Sequence, residues 1–394
     1  MNNWQKLHNS LLQHKLILGI YIIAAVVASV HLVSLGTNHE FLGRLYTEYN
    51  NYIIFKNSFF HLLSGKDLYI LYLDEQWDLY KYSPAFALFM GLFACLPDII
   101  GLVLWNVLNV MVLYWAIKML PFRQRAISLL LWFVLLEMLT SIQSSQSNAL
   151  LAGLIIAAYG WLERGKVHWA TLMLVLATFI KVYGAVGFCM FLFYPDKLKF
   201  ILYSIIWTVI LAFIPLVVLS PAQLMAQYIS WGKMMAEDQA LSYGYSLMAV
   251  LHAWFGADGI KNEVTIFGIS LFFIPLLRYR WYKSEIYRLL MLAQMLIWVV
   301  IFNHKAESPT FIIAVSGIGI WYFANTRTYW RDALLILTFI LTCLSPTDIF
   351  PPSFRQQILV PYIVKVIPCI LVWGVIMVQL LRLKKAPEEQ LKQA

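Results

Sequence analysis

Long apolar runs alternate with short polar or charged segments along almost the whole chain. An α-helix needs about 20 predominantly apolar residues to cross the hydrocarbon core of a membrane, and most of the runs approach that length. The pattern therefore predicts an all-α integral membrane protein, a polytopic helix bundle forming a single domain over residues 1–394. Runs bounded by charge or proline predict about twelve membrane-spanning helices, at 15–36, 98–118, 126–142, 148–163, 167–181, 183–195, 199–220, 263–278, 286–303, 307–325, 329–346 and 359–382.

Two segments affect the helix count. The apolar segment 84–97 is short for a complete span and ends at Leu96-Pro97, which favours a half-span or re-entrant helix. It leaves the count between about eleven and thirteen helices. The first apolar run follows a polar N-terminus and has no small-residue cleavage site. We therefore expect residues 15–36 to be a retained span and not a signal peptide.

Lysine and arginine fall in every second loop from residue 118 onward. Because short loops rich in these residues stay in the cytoplasm, the pattern predicts that both termini, including the tail 383–394, are cytoplasmic. The long loops 37–83 and 221–262 are then extracytoplasmic. The basic loop residues are Lys118, Arg123, Arg125, Arg164, Lys166, Lys197, Lys199, Arg278, Arg280, Lys283, Arg288, Arg327, Arg331, Arg382, Lys384 and Lys385.

Composition agrees with a membrane protein, since 61% of the residues are hydrophobic and 12% are charged, against roughly a quarter charged in soluble domains. The net charge of +9 is scattered between apolar runs, so we expect no nucleic-acid partner. The four cysteines lie in or beside apolar segments without a CxxC spacing, which favours buried thiols and leaves the redox compartment undecided. No P-loop, HExxH, GxSxG, GxGxxG or Asp-x-Asp pattern occurs, so we expect no bound metal and no nucleotide-dependent reaction in the cytoplasm.

The stretch SIQSSQSN, residues 141–148, interrupts the apolar pattern with hydroxyl and amide side chains. Such groups cannot face lipid without partners, because each would cost a few kcal/mol in hydrocarbon. The stretch therefore either lies at a membrane boundary or lines a wet cavity.

The first outer loop contains an aromatic pattern. Tyr52, Phe55, Phe59, Phe60 and Leu63 recur at helical spacing, which predicts an amphipathic helix that ends at Ser64-Gly65. Taken alone, the same pattern is also typical of an aromatic belt at the membrane interface.

Five short motifs occur in a fixed order in roughly the first half of the chain: NNYIIF at 50–55, GKDLY at 65–69, YKYSP at 80–84, SQSN at 145–148 and IKVY at 180–183. In this order and spacing they resemble glycosyltransferase family 87. The resemblance implies a GT-C-like membrane fold and an enzyme that takes its sugar from a polyprenyl-phosphate donor. It implies transfer of a hexose or pentose, with mannose favoured, to a lipid or glycan acceptor at the extracytoplasmic face of the bacterial plasma membrane. The lipid-linked sugar is then a substrate, and no cofactor is implied.

Two positions depart from the family pattern. Asn51 stands where the family has an aspartate that is taken as the base toward the acceptor hydroxyl, and Ser145 stands where it has glycine. An amide cannot take a proton from a hydroxyl at neutral pH. Either Glu48 or Glu307 then serves as the base, or the activity has changed or been lost.

Moving a sugar from a lipid phosphate to a hydroxyl needs a base at the acceptor and cationic or hydrogen-bonding groups at the leaving phosphate. The predicted catalytic residues are Glu48, Asn51 and Glu307. The predicted donor and phosphate contacts are Lys181, His304, Lys305, Gln146 and Asn148. The predicted walls of the substrate cavity are Tyr82, Tyr183 and Tyr243. Besides the donor and the acceptor, we expect membrane lipids as partners.

These assignments have structural alternatives. Lys181 is also typical of a lysine that snorkels to lipid headgroups. The turn 303–309 is also typical of a solvated turn with a local salt bridge, and the aromatic residues of the loop 221–262 are also typical of membrane anchors. The alternative function is a transporter or flippase of a lipid-linked or amphipathic substrate. We expect a transporter to bury charges near mid-membrane and to break helices in both halves, whereas here the charges lie at span ends on one side.

Overall fold

The structure is a computed structural model, and it describes residues 12–237 and 242–383. Residues 1–11 and the predicted cytoplasmic tail after Leu383 lie outside the described residues. The helices are α1 His14–Leu35, α2 Asn50–Leu63, α3 Pro84–Ala94, α4 Asp98–Lys118, α5 Gln124–Gln143, α6 Asn148–Glu163, α7 Val167–Ile180, α8 Lys197–Phe213, α9 Pro221–Glu237, α10 Leu247–Phe255, α11 Lys261–Phe273, α12 Glu285–Ile301, α13 Phe311–Phe323, α14 Tyr329–Thr338, α15 Pro352–Phe354 and α16 Ile367–Arg382. The 3-10 segments are Val182–Phe193, Ile214–Val217, Pro275–Leu277, Tyr279–Trp281, Ser308–Thr310 and Val364–Val366, and the π segments are Phe339–Cys343 and Arg355–Leu359.

The structure contains fewer long helices than the apolar pattern predicts. Among the described residues, five helical stretches are long and apolar enough to cross a membrane: His14–Leu35, Asp98–Lys118, Gln124–Gln143, Lys197–Val217 and Val364–Arg382. The expected count of about twelve complete spans is therefore not confirmed. Proline accounts for one of the breaks, because α11 ends just ahead of Pro275, whose ring cannot donate the next helical hydrogen bond. Helix α3 has 11 residues, which is about 17 Å and roughly half of the hydrocarbon thickness, as the half-span interpretation requires.

Helix α6 runs through the centre of the bundle, with 14 of its 16 residues buried. It approaches α4 so closely that a Cβ added at Gly153 would lie 2.9 Å from the backbone nitrogen of Leu113. Helices α12 and α13 meet in the same way, since a Cβ at Gly317 would lie 2.7 Å from the carbonyl oxygen of Ala293. Close backbone packing at small residues is the usual means of association in lipid, where apolar side chains gain little from leaving the hydrocarbon.

The loop 37–83 begins with a β-hairpin, which the sequence analysis does not predict. Strand β1, Thr37–Phe41, pairs antiparallel with β2, Arg44–Thr47. Leu42 and Gly43 connect the strands, and both have positive φ, as a type I′ turn requires. Leucine is not a usual residue for that backbone conformation, so the sequence lacks the Asn-Gly or Asp-Gly signal of such a turn. The all-α expectation is therefore wrong for this short segment.

Helix α2 forms as the aromatic spacing predicts, and Ser64-Gly65 follows it. Its first half belongs to the protein core, because the buried ring of Phe55 packs edge-on against that of Phe86 with 5.4 Å between centroids. Its end carries the exposed side chains of Phe60 and Leu63. The interpretation as an interfacial belt therefore fits only the end of the helix.

The long loops 37–83 and 221–262 pack against each other through α9. The Gln227 side chain accepts a hydrogen bond from the backbone N–H of Leu68 at 3.1 Å and donates to the Lys66 carbonyl at 2.8 Å. One helical turn further on, the Ser230 hydroxyl donates to the Asp67 carboxylate at 2.6 Å. These contacts hold the GKDLY motif against the second long loop.

Candidate active site

The polar stretch forms a tight turn between α5 and α6. Ser145 N–H donates to the Ile142 carbonyl at 3.0 Å, and Gln146 N–H donates to the Ser141 carbonyl at 3.2 Å. This pair of bonds defines a Schellman motif, whose central residue takes the left-handed conformation. Ser145 is that residue, with φ of +53°. Glycine adopts this conformation without strain, which is a physical reason for the glycine that the resemblance implies where this chain has Ser145.

Four polar side chains from three parts of the chain form a row of hydrogen bonds at the same end of the bundle. Gln146 Nε2 donates to Glu307 Oε2 at 2.5 Å, and Asn148 Nδ2 donates to Gln146 Oε1 at 2.5 Å. Lys181 Nζ completes the row by donating to Asn148 Oδ1 at 2.7 Å. The structure thus brings together a carboxylate, two amides and an ammonium group. We call Glu307, Gln146, Asn148 and Lys181 the polar row.

Two tyrosines enclose the ammonium end of the polar row. Lys181 Nζ lies 5.8 Å from the ring centroid of Tyr82 and 5.7 Å from that of Tyr183, and the Tyr183 hydroxyl donates to Asn148 Oδ1 at 3.4 Å. Lys181 itself lies in the connection after α7. Burial lowers the pKa of Lys181 to about 8, although the charge of Glu307 opposes this shift. At neutral pH the amine is therefore mostly protonated and cationic.

Asn51 and Glu48 lie near the start of α2, but only Asn51 reaches the polar turn. The Asn51 amide donates to the Ser144 carbonyl at 2.9 Å. Glu48 is exposed, and no hydrogen bond joins it to the polar row in the described structure. Of the two candidate bases, only Glu307 therefore belongs to the cluster of predicted site residues.

Glu307 is held in place by the turn that contains it. It is the N-cap of the 3-10 segment Ser308–Thr310, and its carboxylate accepts from the Thr310 N–H while the Thr310 hydroxyl accepts from the Glu307 N–H. This reciprocal capping box satisfies backbone groups on both sides of the turn. Together with the bond from Gln146, it restricts the orientation of the carboxylate.

His304 and Lys305 lie in the same turn as Glu307, and both are partly exposed. The chain at Gly244 and Tyr245 packs on the backbone of this turn, with Tyr245 N–H donating to the Ala306 carbonyl at 2.7 Å. Next to it, a Cβ at Gly244 would lie 2.6 Å from the His304 carbonyl oxygen. His304 and Lys305 therefore lie beside the polar row as neighbours of Glu307 in this turn, and the backbone of the turn packs against the loop 221–262.

Tyr243 does not join the polar row with its side chain. Its ring stacks on that of His252 with 4.8 Å between centroids, and its hydroxyl donates to Asp258 at 3.1 Å. Lys261 Nζ lies 5.0 Å from the same ring. The predicted role of Tyr243 as a cavity wall thus has no counterpart in its contacts, which belong to a separate cluster of the second long loop.

The sequence analysis overlooks a buried ion pair below the polar row. Lys365 Nζ lies 2.7 Å from Glu137 Oε1 and 3.0 Å from the Ser308 hydroxyl. Ser308 follows Glu307, so the pair anchors the turn that presents the candidate base. Each charge stands within a predicted span, and a charge in such a place is by itself a functional signal. The pair also corrects the expectation that the charges lie only at span ends.

The described residues offer no evident metal site. Within 12–237 and 242–383, no group of three or more His, Cys, Asp and Glu side chains is placed to hold an ion. The four cysteines are free thiols, and Cys343 and Cys369 are buried, whereas Cys95 is exposed.

The family model of glycosyltransferase family 87 matches residues 80–346, which is more than half of the 394-residue chain. The chain belongs to glycosyltransferase family 87. No curated protein matches it. Membership of family 87 makes it a membrane glycosyltransferase, in agreement with its long apolar helices.

The family 87 match also corrects the expected extent of the resemblance. It begins at Tyr80 and continues to residue 346, so it reaches well beyond the first half of the chain. The motifs at 50–55 and 65–69 lie outside it, together with Glu48 and Asn51. All members of the polar row lie inside it.

Proposed function

We propose that this membrane glycosyltransferase transfers a sugar, with mannose favoured, from a polyprenyl-phosphate donor to a hydroxyl of a lipid or glycan acceptor. The observation that supports the proposal is the polar row, in which a carboxylate and an ammonium group are joined through two amides. The reaction needs both a base and a cation within one site. The placement of basic residues along the chain favours the extracytoplasmic face of the membrane, with both termini in the cytoplasm, and the resemblance to the family implies a bacterial plasma membrane.

In the proposed mechanism, Glu307 takes the proton of the acceptor hydroxyl. The acceptor oxygen attacks the anomeric carbon of the sugar, and the bond between this carbon and the phosphate oxygen breaks. The lipid phosphate leaves with the electrons of that bond. Lys181 stabilises its negative charge, because an ammonium group of restricted mobility stabilises developing charge better than mobile water does.

The amides of the polar row position the two charged groups in this mechanism. Gln146 holds the Glu307 carboxylate, and Asn148 holds the ammonium group of Lys181. His304 and Lys305 are proposed as additional phosphate contacts from the neighbouring turn. Tyr82 and Tyr183 are proposed to contact the sugar, because aromatic rings flank the ammonium group where the donor phosphate would lie.

The test of this proposal compares the two glutamates as isosteric amides. Purified Glu307→Gln should lose roughly 100-fold or more of its transfer rate from a short-chain polyprenyl-phosphate mannose, as expected when a general base is removed. Glu48→Gln is the matched control and should keep the wild-type rate. The reverse result would assign the base to Glu48. If the wild-type protein transfers no sugar from any polyprenyl-phosphate donor, the chain is an inactive member of its family.

The amides are tested separately by binding of the donor. Gln146→Ala and Asn148→Ala should each weaken donor binding, because each removes a bond to a charged group. Gln143→Ala is the control, since Gln143 is an exposed amide of the same stretch. Unchanged donor binding in both row variants would exclude the polar row as the donor site.

A further inference from the structure

A cleft of about 970 Å³ opens at the end of the bundle opposite to the polar row. Its lining includes Arg125 and Phe133 of α5, Tyr322 of α13 and Phe339 of the π segment that extends α14. Arg125 stands in the first turn of α5, whereas the polar turn follows the last residue of that helix. Likewise, Tyr322 stands in the last turn of α13, which begins just after the turn of Glu307. The cleft and the candidate active site are therefore separated by the length of these helices.

The cleft runs from a basic mouth to an aromatic wall. Arg125 and Arg327 line its mouth, and Trp132, Phe133 and Phe339 line it deeper in the bundle. From Arg125 to Phe133 the helical rise is about 12 Å. The hydrocarbon region of one leaflet, which is half of the hydrocarbon core, is about 15 Å thick. The depth of the cleft therefore matches the arrangement of a phospholipid, with its headgroup at the mouth and an acyl chain along the wall.

The mouth of the cleft has an excess of positive charge. Arg327 forms an ion pair with Asp332, with its Nε 2.9 Å from the carboxylate, but the Arg327 side chain stays 81% exposed. Arg125 is exposed on the other side of the mouth. Two arginines therefore line the mouth, and one aspartate pairs with one of them. Guanidinium groups form paired hydrogen bonds with phosphate oxygens, and basic pockets between membrane helices bind anionic headgroups.

We propose that this cleft binds one anionic phospholipid, in the leaflet opposite to the candidate active site. The charge at the mouth selects an anionic headgroup over a zwitterionic one, and the aromatic wall holds one acyl chain. Since basic residues collect on this side of the predicted topology, that leaflet is the cytoplasmic one. The proposal does not depend on the proposed transfer reaction.

The experiment measures lipid retention by the purified full-length protein in native mass spectrometry. The probes are phosphatidylglycerol and phosphatidylcholine with identical acyl chains, added in equal amounts. We expect wild-type protein to retain one phosphatidylglycerol with a preference of about tenfold, because each basic residue at a membrane surface contributes measurably to anionic lipid binding. Equal retention of both lipids would overturn the proposal.

Variants locate the binding site within the cleft. Arg125→Gln combined with Arg327→Gln should abolish the preference for phosphatidylglycerol. Arg280→Gln, which removes an exposed arginine outside the cleft, should leave it unchanged. Leu335→Trp places a large ring in the cleft and should reduce the retention of phosphatidylglycerol itself. If Arg280→Gln lowers the preference as much as the double variant, or if Leu335→Trp has no effect while its melting temperature is that of the wild type, the cleft is not the site.

Discussion

Lys365 Nζ lies 2.7 Å from Glu137 Oε1, and their side chains are only 3% and 0% exposed. The contact joins α5 to the 3-10 segment Val364–Val366 ahead of α16, and Lys365 Nζ also donates a hydrogen bond to the Ser308 hydroxyl. A buried charge is tolerated only with its partner, because burying either charge alone costs far more free energy than burying the pair. This relationship makes the position of the candidate base depend on residues that lie deep in the bundle.

Replacing Lys365 with methionine should therefore destabilise the protein by about 3–5 kcal/mol. The variant keeps most of the side-chain volume but leaves the Glu137 carboxylate buried without its partner. The double variant Glu137→Gln/Lys365→Met removes both charges and should recover most of the lost free energy of unfolding. Thermal unfolding of the wild type, the single variant and the double variant in the same detergent measures these differences in stability. A double variant no more stable than Lys365→Met would show that the ion pair does not account for the loss.

Replacing Ser145 with glycine should stabilise the polar turn. A left-handed residue other than glycine carries strain of order 1–3 kcal/mol, which glycine removes. The greater conformational freedom of glycine in the unfolded chain offsets up to about 1 kcal/mol of this gain. We expect a gain of about 1 kcal/mol in the free energy of unfolding. Ser145→Ala is the control, because alanine keeps the Cβ that causes the strain. Equal melting temperatures for the two variants would contradict the strain argument.

Donor affinity should depend on the ionisation of Lys181, whose pKa is lowered to about 8 by burial. The amine is charged below this pH and neutral above it, so we expect affinity to be constant at lower pH and to fall as pH rises past about 8. Because a bound phosphate favours the charged amine, its pKa is higher in the complex, so the fall begins near the pKa of the free protein and levels off at a higher pH. Lys181→Arg should bind the donor without this fall, because a guanidinium group stays protonated. Titration of the donor dissociation constant from about pH 6.5 to 9.5 compares the two proteins, and parallel curves would exclude Lys181 as the titrating group.

Replacing Asn51 with the aspartate that the resemblance implies at this position should not increase activity. The Asn51 amide donates to the Ser144 carbonyl, and an aspartate would place a second acceptor against that oxygen. We expect Asn51→Asp to lower the free energy of unfolding by about 1–3 kcal/mol and to leave the transfer rate at or below that of the wild type. Asn51→Ala loses the bond without adding a charge and should be less destabilised. An Asn51→Asp variant more active than the wild type would instead place a base at the start of α2.

Local patterns predict the helices of the first half well. The predicted runs 98–118 and 148–163 have the bounds of α4 and α6, because apolar length and flanking charge are properties of each segment alone. In the second half, the predicted span 359–382 is interrupted, since Ile363 has φ of +53° and Lys365 turns inward to Glu137. A hydropathy pattern does not show such breaks, because they depend on the partner that a residue meets in the folded protein.

The sequence by itself determined the membrane character of the chain and the residue types at the candidate site. Both follow from local composition: apolar runs must be buried in lipid or protein, and amides in such a context need polar partners. Only the tertiary structure decided which of these side chains meet. Gln146 and Glu307 lie 161 positions apart, and Glu48 and Glu307 are indistinguishable as candidate bases until helix packing brings one of them to the polar row. Distances between such residues depend on how the helices pack, and that information is not contained in any single segment.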